Sequence, residues 1–130
     1  MKLSASDEDL RRLVAQPWWE WQKRMLVRPH VGQPETVVNV GESVLWVGDG
    51  VFLRMEQQSD YLPVPSDPAT AGCLMDLYLK RYAAIAGHIP RQFIRHAAME
   101  RLPDYFNPDA FASPGDHLVA VLLEIDREQR

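Results

Sequence analysis

An α+β fold is predicted for this chain by three features of its sequence. One long helical pattern runs from Ser66 to Ala86, a series of short β-branched segments precedes it, and capped helix patterns lie towards both ends. The expected architecture is a small antiparallel sheet of three or four strands packed on a central helix, with N- and C-terminal helices around it. The 130 residues are read as a single globular domain, 1–130.

The segment SDPATAGCLMDLYLKRYAAIA carries the strongest single pattern. Asp67 (or Ser66) stands at an N-cap position and Pro68 follows at the first helical position, where its missing N–H costs nothing. At 3.6 residues per turn, Leu74, Ile85, Tyr78, Ala71, Tyr82 and Met75 share one arc, widened by Leu77 and Leu79 to roughly 200°. Asp76 and Lys80 form the polar wedge. A helix this apolar is covered on more than one side, which makes it the expected centre of the fold. Gly87 is placed to end it in a left-handed cap.

The remaining elements follow in chain order. Ser6–Gln16 is a first helix, with Ser6 and Asp9 as a capping box and a thin stripe of Leu10, Leu13 and Val14. Met25–Val27, Glu35–Val40, Val44–Val47 and Val51–Arg54 are strand-like, and Gly48-Asp49-Gly50 between the last two signals a hairpin. Arg28–Pro34 and the polar stretch Glu56–Pro65 are loops. Pro90–Leu102 is a helix with Phe93, Ile94, Ala97 and Ala98 inward. Ser113, Pro114 and Asp116 open a last helix with a stripe of Leu118, Val121, Leu122 and Ile125. The run His117–Leu123 also fits a buried strand by periodicity, and the cap decides for helix.

Composition narrows the function classes. Apolar residues make up 46% and charged residues 25%, and no apolar run is long enough to span a bilayer. The start MKLSASDEDL lacks the basic and apolar regions of a signal peptide, so a cytoplasmic setting is expected. The net charge of −4 argues against a general nucleic-acid binder. Charge is unevenly placed, however. Lys80–Arg101 holds Lys80, Arg81, Arg91, Arg95 and Arg101 against Glu100, a net +4 that leaves −8 for the rest.

No catalytic, metal or cofactor signature stands out. Cys73 is the only cysteine and lacks a partner histidine at a telling distance. His96 and Glu100 share a helix face, but two ligands make no metal site. Asp104, Asn107 and Asp109 lack the spacing, glycine and closing glutamate of a calcium loop. Gly48-Asp49-Gly50 lacks the lysine and following helix of a phosphate loop. No serine has a nucleophile-elbow context.

Two groups of residues remain as binding candidates. Trp18, Trp19 and Trp21 crowd three indoles into four positions, and a regular backbone would leave one of them outside the core. An exposed indole is a natural anchor for a protein partner or a second copy of the chain. The basic residues Lys80, Arg81, Arg91, Arg95 and Arg101 are the alternative, a surface for nucleic acid. Arg81 is singled out because it falls inside the apolar arc, where it must pair or reach past the helix edge.

Trp21 followed by Met25-Leu26, then short strands, then Ser66-Asp67-Pro68-Ala69-Thr70-Ala71-Gly72-Cys73-Leu74 resembles a group of small phage and prophage proteins with a "W…ML", strands and "DPATxGCL" arrangement. The likeness covers Trp21 to Leu79, under half the chain, and ends before the basic segment. It implies a phage or prophage origin and a bacterial host cytoplasm, and it implies no chemistry. The motif itself reads as structural: Asp-Pro starts a helix, and Gly72 and Cys73 are small. The expected function is a non-enzymatic, protein-interacting phage accessory protein, without cofactor and without membrane attachment.

Overall fold

The computed structural model describes residues 2–22, 24–28, 36–40, 45–47, 51–53 and 62–128. The fold is α+β. Its helices are α1 (Asp7–Val14), α2 (Pro68–Ile85), α3 (Arg91–Tyr105) and α4 (Pro114–Glu128). Its strands are β1 (Leu26–Arg28), β2 (Thr36–Val40), β3 (Leu45–Val47), β4 (Val51–Leu53) and β5 (Leu62–Pro63).

The strands form one antiparallel sheet in the order β4-β3-β2-β1-β5. Three or four strands were expected, and the described residues contain five. The additional strand, β5, lies in the stretch expected to be loop. It is only two residues long and holds Pro63, which sequence propensity counts against a strand. An edge position tolerates that proline, because β5 pairs on one side only, with Val27 facing Pro63 and Arg28 facing Leu62. The hairpin of β3 and β4 pairs Val47 with Val51, as the glycine signal predicts. Its Gly48-Asp49-Gly50 turn and most of the two expected loops lie outside the described residues.

Local chemistry starts α1, α2 and α4 where the sequence says it should, while α3 begins after Pro90 without a side-chain cap. Ser6 Oγ accepts the Asp9 N–H at 3.1 Å, and an Asp9 carboxylate oxygen accepts the Ser6 N–H at 3.3 Å. Asp67 caps α2 by accepting the Thr70 N–H at 3.0 Å. Ser113 Oγ accepts the Asp116 N–H at 3.2 Å. Asp116 is itself buried and accepts the Ala5 N–H at 2.9 Å, which ties the start of α4 to the entry of α1. Beside it, Leu3 bridges to Phe111 as an isolated parallel pair.

The helical centre differs from the expectation. Helix α4, not α2, is the hub, since it packs on α1, α2 and α3. Leu118, Val119, Val121, Leu122 and Ile125 are all buried. The near-continuous apolar run that made this segment ambiguous between helix and strand is the mark of an element covered from several sides. Helix α2 lies against α4 and α3, burying Thr70, Cys73, Leu74, Leu77 and Tyr78 but leaving Ile85 exposed. Among the described residues, the extensive contact between sheet and helices is that of β5 with α1. An ion pair of Arg28 with Asp7 joins β1 to α1. The core runs from Leu10 and Leu13 through Met25, Val27 and Leu62 to the α2–α4 interface.

Two helix ends depart from the sequence reading. Gly87 does not take a left-handed φ; α2 stops at Ala86, whose ψ is 45°. Helix α3 continues through Pro103 to Tyr105. A proline one turn from the helix end removes a single backbone bond, so the last turn survives it.

Candidate functional site

The three tryptophans are placed by an irregular segment. After α1 the chain turns at Ala15–Trp18 and then runs without regular structure to Gln22. Trp18, Trp19 and Trp21 are all half-buried against the core. Trp19 and Trp21 meet edge to face with ring centroids 5.3 Å apart. The Trp18 Nε1–H donates to Asp126 of α4 at 3.3 Å. The expectation that one indole is left outside the core is therefore not met. It assumed a regular backbone with a fixed alternation of side-chain directions, and this segment is neither helix nor strand.

The basic residues are divided among three environments. Arg81 stacks its guanidinium over Trp18, 5.1 Å from the ring centroid. Its Nε is buried and finds no acceptor among the described residues. This stacking answers how a cation can sit in the apolar arc of α2: an indole face takes the place of an ion-pair partner. Arg101 lies 5.4 Å from the Tyr105 ring centroid. Lys80, Arg91 and Arg95 form the third group, around a groove between α2 and α3.

That groove is built from six side chains. Leu79, Ala83 and Ile94 make an apolar floor, and Lys80, Arg91 and Arg95 stand at its edges. Its volume is about 280 Å³, and it lies open to solvent. Arg91 and Arg95 are exposed and one helical turn apart, and neither makes an ion pair among the described residues. Lys80 pairs with Glu20 at 3.1 Å, with both side chains largely in solvent. Such a pair is weak and readily exchanged.

Sequence patterning misplaced this groove. It put Leu79 and Ile94 in the core, whereas both are half-buried, and it put Phe93 inward, whereas Phe93 is 53% exposed. Helix α3 fully buries only Ala98 and Leu102. The readable clue was Arg91 and Arg95 four residues apart, with Ile94 beside them on the helix surface.

Other hollows are neutralised from within. One is lined by Asp9, Arg12, Glu124 and Arg127, where Arg127 bonds Glu124 at 2.6 Å and Arg12 lies 3.9 Å from Asp9. Another includes Asp116, whose oxygens are taken by Ala5 and Ser113.

Side chains with catalytic potential are occupied structurally or exposed. Burial pushes the Cys73 thiol above its usual range, helped by the charges of Asp76 and Asp67, which disfavours the reactive thiolate. Tyr78 is buried and donates its O–H to the Ala98 carbonyl at 2.7 Å, and burial raises its pKa well above that of a free tyrosine. His96 and Glu100 form an exposed pair at 3.0 Å. Asn107 caps a 3-10 turn at Pro108–Ala110 through the Asp109 N–H. Among the described residues no group of three or more His, Cys, Asp or Glu side chains could hold a metal ion, and no helix is long and apolar enough to cross a membrane.

Comparison with protein-family models, with curated proteins and with solved structures finds no match to this chain.

Proposed function

We propose that this chain is a non-enzymatic protein-interaction module, in the setting of a phage or prophage accessory protein that acts in a bacterial host. The observation that carries the reading is the outer surface of α3 and the end of α2. There Phe93, Met99 and Ile85 are 53%, 41% and 37% exposed. A helix that keeps large apolar side chains in water and fully buries only Ala98 and Leu102 has surface to spare for a partner. Elsewhere on the fold, Trp18 stacks on Arg81 of α2, and Trp19 and Trp21 pack against the core.

The test is capture from bacterial lysate with the intact protein, followed by reconstitution from purified components. A stoichiometric protein complex that persists at high salt supports the reading. A chain that stays alone, or that retains only nucleic acid with a steep salt dependence, removes it.

A further inference from the structure

We infer that the α2–α3 groove seats one large apolar side chain of an acidic amphipathic helix belonging to a partner protein. This deepens the interaction-module reading and rests on it. The floor of Leu79, Ala83 and Ile94 offers apolar contact, and Lys80, Arg91 and Arg95 ring it with a single sign of charge. Arg91 and Arg95 repeat at one helical turn, a rise of about 6 Å. Carboxylates spaced i, i+4 on a helix laid across the groove meet that repeat, with an apolar anchor on the same face. Glu20 is the acidic side chain that holds one of the three cations, and an incoming carboxylate competes with it at Lys80 for little cost.

Charge decides among occupants. A second copy docking two-fold through this face would set its own Arg91 and Arg95 against those of its neighbour, which repels. Nucleic acid needs many phosphate contacts and no apolar floor. Here three cations stand on a chain whose remaining residues carry −8 outside Lys80–Arg101.

The experiment uses a fluorescein-labelled helical peptide of about 16 residues, long enough to hold helix, with one central Phe flanked by Glu at four-residue spacing. Controls are the same peptide with Lys in place of Glu, and a labelled single-stranded oligonucleotide. Binding to the whole protein is read by anisotropy, with circular dichroism and melting run on every variant. The wild type should bind the acidic peptide and not the basic one. Arg91→Glu with Arg95→Glu should weaken binding at least about tenfold, since both are exposed and hold no ion pair among the described residues.

Ala83→Lys separates floor from charge. It fills the groove while adding a positive group, so it should weaken the acidic peptide about tenfold and would strengthen an oligonucleotide. Four results overturn the inference: no peptide binding up to about 1 mM, equal binding of the basic peptide, wild-type affinity in both variants, or binding of the oligonucleotide alone. Sedimentation of the wild type is the further arm, and a dimer abolished by the arginine substitutions assigns the groove to a second copy instead. Failure here leaves the broader reading standing if a captured partner still binds the Arg91→Glu/Arg95→Glu protein. Loss of every partner by the wild type ends both.

Discussion

The backbone N–H of Leu26 donates to the hydroxyl of Thr70 at 2.8 Å, and that hydroxyl donates in turn to Asp67 at 3.0 Å. The two short motifs of the sequence, Met25-Leu26 and Asp67-Pro68-Ala69-Thr70, are thus two halves of one clip between β1 and α2. Thr70 is fully buried, and Met25, Cys73 and Leu74 continue the contact into the core.

Thr70→Val keeps the shape of the side chain and deletes both hydrogen bonds. It should destabilise the protein by about 1–3 kcal/mol, because the Leu26 N–H and the Asp67 oxygen lose a partner. Thr70→Ser should retain most of the stability. Urea titration checks both, and equal stability of Thr70→Val and wild type would show that the clip is energetically idle.

Gly115 is required by close approach. A Cβ placed there would lie 1.8 Å from the Pro65 carbonyl oxygen and 2.6 Å from its carbon, and backbone cannot swing aside as a side chain can. Gly115→Ala should cost about 2–3 kcal/mol or more, despite the helix propensity gained. Gly72 has nothing within 4 Å of such a Cβ, so Gly72→Ala should be neutral or stabilise by up to about 1 kcal/mol. Reversal of that order in thermal melts would contradict the packing.

His117 is buried beside the Phe111 ring and donates from Nε2 to the Phe106 carbonyl at 3.2 Å. Burial pushes its pKa below the usual histidine value of 6.5, against the opposing pull of that carbonyl. The unfolded chain therefore binds a proton that the folded chain resists. Stability should hold above the unfolded pKa and fall as pH drops below about 6.5. In His117→Gln, which keeps a donor and does not titrate, the loss between about pH 7 and pH 5 should shrink. An unchanged pH dependence in denaturation curves would exclude His117 as its source.

Cys73 should label slowly with a thiol reagent in the native protein, on the order of 100-fold slower than in denaturant. Its burial and the neighbouring Asp76 and Asp67 charges all favour the neutral thiol. Rapid stoichiometric labelling of the folded chain would mean that this part of α2 opens readily.

Much of the fold was legible because short-range chemistry announces itself. Ser6 with Asp9, Asp67 before Pro68, and Ser113 with Asp116 each start a helix where local hydrogen bonding demands it. The strand pairing around Val47 and Val51 was readable for the same reason. What stayed hidden depends on which elements become neighbours. The wheel of α2 reports apolarity without saying that α4 supplies the cover, so the hub was assigned to the wrong helix. Phe93 reads as core by type, yet α3 turns it outward. The tryptophans obey the turn at Ala15–Trp18, which has no period to extrapolate. The basic rim of the groove was legible as Lys80, Arg91 and Arg95, but its apolar floor was not, because Leu79 and Ala83 come from one helix and Ile94 from another.

The tie between Ala5 and Asp116 spans nearly the whole chain, and with it α1 is held against α4. During synthesis, Leu10 and Leu13 emerge well before α4 and are fully covered only when α4 has left the ribosome. The sheet has the same dependence, since β5 leans on α1. Such long-range closure delays cooperative folding until α4 is made. Nascent chains stalled before residue 114 should therefore remain sensitive to protease, and those released past α4 should become resistant together across α1 and α2.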